Sequence, residues 1–325
     1  MNFQENEVFE VVESDFTGQA LAIFQLQYRY NPIYQLYINS LGVDPRSVQS
    51  LPQIPFLPIG FFKTHRIMTT DFEPEAVFES SGTGQEGTSR HYVKSAGLYR
   101  RSFTAGFERS YGRISDWCII GLLPSYLERS NSSLVRMADE LIRMTGHPDS
   151  GFYLYEHEKL FQTLNRLEAR WQKTLLIGVS FALLDFAEKY KMNLEYTTVV
   201  ETGGMKGRRK EMIRAELHGV LKERLGLSAI HAEYGMTELL SQAWSKGDGL
   251  FEPVPWMRAL VRNEDDPFDL REEGAGILNI IDLANIYSCS FLATEDVGTL
   301  NGKAVFEVSG RVDNSDIRGC SLLVV

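Results

Sequence analysis

Five short polar segments of the 325-residue chain combine residue types that can meet a ligand. In order they read SSGTG at 80–84, TGGMKG at 202–207, YGMTE at 234–238, TEDVG at 294–298 and GRVD at 310–313. A sixth, RGCSL, places Cys320 a handful of residues from the end of the sequence. Glycine-rich turns expose backbone N–H groups, which suit anions such as phosphate but also make ordinary turns. Carboxylates in such turns are hard-oxygen ligands for cations and acceptors for hydroxyls. A thiol is either a nucleophile or a small hydrophobe, and most free cysteines behave as the latter. Singly, each segment keeps both readings open.

Composition narrows the classes. A net charge of −10 without a long basic stripe argues against binding through nucleic-acid phosphates. The opening MNFQENEVFEVVESDF is acidic and has neither the basic nor the apolar region of a signal peptide. No stretch reaches the roughly 18 consecutive apolar residues that a membrane helix needs. The three cysteines, Cys118, Cys289 and Cys320, show no CxxC spacing, so neither a disulfide framework nor a zinc site is indicated. A reducing, cytoplasmic setting is the simplest expectation.

The elements that must position these segments are legible from the hydrophobic pattern. The prolines of LPQIPFLPIGFF imply an extended, irregular crossing. AVFES reads as a strand running into the SSGTG loop, and WCIIGLL as another strand. Ser132 or Ser133 caps a helix that Gly146 and Pro148 end. TLLIGVS, LEYTTVV and SAIHAEYG read as strands separated by the helices FALLDFAEKY and RRKEMIRAELHGVLKERLG. Strands alternating with helices predict a mostly parallel sheet, whose ligands sit beyond the C-terminal strand ends. Both ETGGMKG and YGMTE fall there. From about residue 255 short strands predict a smaller antiparallel or barrel-like part. The expected fold is α/β, one domain over 1–325, with α/β layers over about 60–255 and a β-rich part over about 256–325.

Taken in order, the segments resemble the signature motifs of the adenylate-forming superfamily, which includes acyl-CoA ligases, peptide-synthetase adenylation domains and insect luciferase. The resemblance covers roughly 55–325, and the interval from Asp296 to Arg311 is similar to that family's spacing. The GGMKG form, the proline-rich IPFLPIGFFK and RGCSL are similar to the acyl-protein synthetases of bacterial luminescence. Those enzymes activate a fatty acid as an acyl-adenylate, hold it on a cysteine near the C-terminus and pass it to an acyl reductase. The resemblance therefore implies that Cys320 is the acyl acceptor.

It also implies roles for the other positions. Ser80, Ser81, Gly82, Thr83 and Gly84 would form the phosphate loop, with Lys206 nearby. Tyr234, followed by Gly235, would stack on adenine, and Gly203 and Gly204 would let backbone approach the adenine edge. Asp296, with Arg311 beyond it, would accept from the ribose hydroxyls. Glu238 would hold Mg²⁺ and Thr237 would bond the α-phosphate of ATP; both residue types are also common at an exposed helix N-terminus. His91 or His231 would serve the thiol as a base. The acid would lie near GVSFALLDF, and Cys118 and Cys289 are expected in the core.

Two departures stand out. The loop SSGTGQEGTSR lacks the family's usual lysine, so positive charge must come from Arg90, His91 or the KGRRK stretch (Lys206, Arg208, Arg209, Lys210). The sequence also runs only about a dozen residues past GRVD, where family members continue into a mobile domain with a catalytic lysine. The expectation is an ATP- and Mg²⁺-dependent acid–thiol ligase acting on a carboxylic acid. The alternatives are a CoA ligase completed by another chain and a silent nucleotide-binding module.

Overall fold

The structure is a computed structural model that describes residues 7–80, 87–123, 131–203, 212–302 and 304–312. Two helices, Phe16–Tyr30 and Pro32–Ser40, open it. Asn31 joins them: its side chain accepts from Tyr34 N at 3.1 Å and donates to the Ser288 carbonyl at 2.9 Å. Pro32 occupies the first position of the second helix, where no backbone donor is missed. The proline-rich crossing contains a short strand, Leu57–Pro58, laid parallel against Leu292 and Ala293. Proline is tolerated there because the ladder is only two residues long and flanks the sheet.

The parallel strands are Gly151–Phe152, Cys118–Leu122, Thr174–Val179, Thr197–Thr202 and His231–Tyr234, in that order across the sheet. Their side chains alternate between two hydrophobic clusters. Ile119, Leu175, Ile177, Val200 and Ala232 face the helices Ala96–Tyr111 and Ser133–Thr145. Cys118, Ile120, Leu176 and Val199 face the helices His157–Glu168, Ser180–Lys189 and Arg214–Leu225. Helices thus cover both faces, as a parallel sheet with crossovers requires. The helix Ser133–Thr145 starts where Ser132 Oγ accepts from Val135 N and stops at Gly146, as the sequence predicts.

Beyond Tyr234 the same sheet continues antiparallel through Ala243–Ser245, Leu250–Pro253, Phe306–Arg311, Phe291–Leu300, Gly274–Asp282, Met257–Arg262 and Leu270–Arg271. The β-rich part is present, but its antiparallel pairing begins at Ala243, earlier than expected. The helix before His231–Tyr234 runs Arg214–Leu225, so its start lies later than the sequence suggests. No described helix is long and apolar enough to cross a membrane. Cys118 and Cys289 are fully buried, and burial pushes their thiols up to about 11 and about 12.

Candidate functional site

The strands Ala76–Glu79 and Arg90–Val93 form an antiparallel hairpin whose ends close at Ser80. Ser80 N donates to the Ser89 carbonyl at 3.1 Å, and Ser89 N donates back to Ser80 Oγ at 3.0 Å. This pair fixes the base of the SSGTG loop; Ser81, Gly82, Thr83 and Gly84 lie outside the described residues. The Ser89 side chain lies beside the Glu238 carboxyl and favours its ionised form. The loop base therefore sits next to the YGMTE turn.

That turn is not a helix N-terminus. Residues 235–239 form no helix, and Glu238 is buried rather than exposed. The Glu238 carbonyl accepts from Asn285 Nδ2 at 2.8 Å, and the Thr237 carbonyl accepts from His91 Nδ1 at 2.9 Å. Partners distant in sequence hold the turn, which is why local preference misreads it. Burial raises the Glu238 carboxyl, and the neighbouring Ser89 side chain opposes that rise. Burial pulls His91 down to about 4, so it is neutral near pH 7 and brings no positive charge to a phosphate loop. Arg90, the other described candidate, pairs with Glu79 at 3.2 Å. Lys206, Arg208, Arg209 and Lys210 lie outside the described residues.

Tyr234 ends its strand with its ring buried against Phe306, edge-on at 5.1 Å, and Phe251. Its hydroxyl donates to Asp296 Oδ2 at 2.8 Å. Asp296 and Arg311 are cross-strand partners in register, with Arg311 Nε 3.5 Å from Asp296 Oδ1. Burial raises the Asp296 carboxyl, while Arg311 and then Tyr234 pull it back. Arg311 also stands 3.7 Å from Glu295.

The neighbouring strand ends at Gly203, whose φ of +70° puts it in the left-handed region that only glycine enters freely. Its carbonyl accepts from Ser180 Oγ at 2.8 Å, and the same hydroxyl lies 2.5 Å from Glu201 Oε1. Glu201 Oε2 stands 3.8 Å from His218 Nε2 and 4.0 Å from Arg214 Nε. Gly204 lies outside the described residues, as does Cys320.

Sequence reasoning passed over Glu233, the residue before Tyr234. Its Oε2 accepts from Thr202 Oγ1 at 2.6 Å, and burial, with Glu201 adding repulsion, lifts its carboxyl to about 7. A Cβ on Gly235 would stand 2.4 Å from Glu233 Oε1, so a larger residue there would displace that carboxylate. The signal was the alternation in HAEYG, which puts Glu233 on the face opposite Tyr234. His231, at the other end of this strand, stacks on Tyr111 with a hydrogen bond of 3.2 Å to its hydroxyl. The residues Phe181, Leu183, Leu184 and Phe186 of GVSFALLDF are closed into the core.

Ser80, Gly203, Tyr234–Glu238, Asp296 and Arg311 thus fall at the C-terminal strand ends and the adjoining β-rich strands, the usual ligand position in open α/β sheets. No protein-family model matches the sequence, and no curated protein does. Solved structures do. O-succinylbenzoate coenzyme A synthetase from Bacillus subtilis, in complex with ATP and magnesium ion, matches at 16% identity with a TM-score of 0.52. The match covers 75% of this chain and 51% of that one. The same enzyme in complex with AMP matches at 15% identity and a TM-score of 0.50, over 77% and 50%. An amide bond synthetase from Marinactinospora thermotolerans matches at 17%, over 72% and 48%, with a TM-score of 0.48. The likeness is one of fold: this chain folds like the matched half of those synthetase structures. This chain spans about half the length of the structures it matches.

Proposed function

We propose that this chain is a single adenylate-forming domain that activates a carboxylic acid, by resemblance a fatty acid, with ATP. The acid's carboxylate oxygen attacks the α-phosphorus, pyrophosphate leaves, and an acyl-adenylate remains. The Cys320 thiolate then attacks the acyl carbon, AMP leaves, and a thioester forms for transfer to a partner, by resemblance an acyl reductase. The observation that carries this reading is the contact of the hairpin bearing the SSGTG loop with the YGMTE turn, where His91 Nδ1 donates to the Thr237 carbonyl at 2.9 Å.

The described side chains suit the roles. Asp296 presents two carboxylate oxygens at the rim of the β-rich part, where paired ribose hydroxyls would replace its present partners. Gly203 and Gly235 leave backbone bare where a purine edge would approach. Glu238 would hold Mg²⁺, the ion supplying charge neutralisation for the phosphates. The described residues contain no group of three or more acidic, histidine or cysteine ligands, which suits an ion bound by one carboxylate and the substrate's own phosphates. A cation there would favour the ionised form that burial opposes. Thr237 would bond the α-phosphate.

A CoA ligase completed by another chain is the second reading, favoured by the likeness to a coenzyme A synthetase. Acid-dependent exchange of pyrophosphate into ATP, screened over aliphatic and aromatic carboxylates, tests the shared first step. Exchange with one acid class supports adenylation. Its absence with every acid, despite ATP binding, leaves a silent nucleotide-binding module.

A further inference from the structure

A cleft of about 380 Å³ opens between the proline-rich crossing and the β-rich strands, lined by none of the residues assigned above. Its volume falls in the range of about 300–1,000 Å³ typical of small-molecule sites. Val48, Pro55, Phe56 and Phe268 make its walls apolar. Its polar lining is Tyr37, Ser47, Gln53, Asn279 and Arg262, and of these only Arg262 carries a charge. The Arg262 guanidinium donates from Nη1 to Asn279 Oδ1 at 2.5 Å and from Nη2 to the Thr294 carbonyl at 2.7 Å. A guanidinium carries five N–H donors, so three are left over among the described residues. The Tyr37 hydroxyl has no hydrogen-bond partner among the described residues; burial pushes the phenol up, which keeps it a donor. Burial disfavours the Arg262 charge, whereas Tyr37 and Glu295 favour it.

A half-buried cation and a free hydroxyl, with surplus donors and apolar walls, complement one chemical class. A carboxylate supplies acceptors only, in a planar pair that suits guanidinium. We propose that this cleft is a second binding site, for a small amphipathic carboxylate. Its oxygens take the Tyr37 hydroxyl and the Arg262 guanidinium, and its apolar body lies against Phe56 and Phe268. The site is independent of the ligase reading, which uses none of these residues.

Isothermal titration of the whole chain with 2-naphthoate, and with neutral 2-naphthamide, tests it. Binding of 2-naphthoate is expected with Kd below about 1 mM, with the amide weaker by about tenfold or more, as loss of a charged hydrogen bond implies. Ser47→Trp fills the mouth from an exposed position and abolishes binding. Tyr37→Phe weakens it about fivefold, as loss of one hydrogen bond does. Arg262→Gln weakens it further but also loses bonds within the sheet, so Ser47→Trp and Tyr37→Phe decide. No binding by the wild type, or 2-naphthoate binding unchanged in both deciding variants, overturns the proposal. The latter result would place the carboxylate elsewhere on the chain.

Discussion

Tyr234 and Asp296 stand on strands four steps apart in the sheet, yet the Tyr234 hydroxyl donates to Asp296 Oδ2 over 2.8 Å. Strands are spaced by about 4.8 Å, so in a flat sheet these two would be separated by about 19 Å. The sheet therefore coils on itself in its antiparallel half, and the coil is what brings the YGMTE turn to the TEDVG strand. That coiling is thus what assembles the candidate site.

Asp296→Ala tests the nucleotide side of that assembly. The lost acceptor should cost about 1–3 kcal/mol of ATP binding, as hydrogen bonds to a charged group do. Tyr234→Phe keeps the ring and removes only the donor to Asp296, so its effect should be smaller. The readout is the rise in melting temperature with added ATP, which follows Kd by mass action. An ATP-dependent rise in Asp296→Ala equal to that of the wild type removes Asp296 from the site.

Glu233 gives the protein a stability slope with pH. Its carboxyl titrates at about 7 in the folded chain, above its ordinary value of 4.5. Between those values the folded state binds the extra proton, so stability is fully present below pH 4.5 and falls as pH rises through 7. Glu233→Gln, which keeps a group for Thr202 to bond, should flatten that fall by about 1–3 kcal/mol. Urea unfolding of both proteins at pH 5 and pH 8 measures it. Parallel slopes in the two proteins would show that Glu233 titrates normally.

Asp282 holds the segment after YGMTE in place. Its Oδ2 accepts from Leu240 N at 2.8 Å and Ser241 N at 3.0 Å. Its Oδ1 accepts from Ser241 Oγ at 2.6 Å and Ala284 N at 3.1 Å. Burial raises the carboxyl to about 6, yet four donors and no acceptor surround it, which favours the ionised form near neutral pH. Asp282→Asn turns an amide N–H toward donors in this buried pocket and should destabilise the fold by about 2–4 kcal/mol. Chemical denaturation at pH 7.5 checks this; a loss under about 0.5 kcal/mol, the size of an ordinary surface change, contradicts it.

What the sequence disclosed was local or periodic. The Ser132 cap, the stop at Gly146 and the apolar strands preceding Ser180 and Gly203 follow from residues a few positions apart. What it concealed depends on contacts across the chain. Thr237 and Glu238 read locally as a helix start, but His91 and Asn285 fold them into a buried turn. Glu233 was hidden because a carboxylate beside a motif looks solvated until Thr202 is seen to bond it. The pairing of Tyr37 with Arg262 across one cleft has no signature in either segment.

Cys320→Ser tests the central claim most directly, because it separates the two half-reactions. Adenylation needs ATP, Mg²⁺ and an acid but no thiol, whereas capture needs a thiolate, and serine supplies almost no anion at neutral pH. With a radioactive acid that supports pyrophosphate exchange, the wild type, Cys118→Ser and Cys289→Ser should all gain a hydroxylamine-labile acyl label. Cys118 and Cys289 are buried thiols held protonated, so they serve as controls. Cys320→Ser should keep the exchange and lose the label. A label retained in Cys320→Ser, or never acquired by the wild type while exchange proceeds, contradicts thioester capture at Cys320.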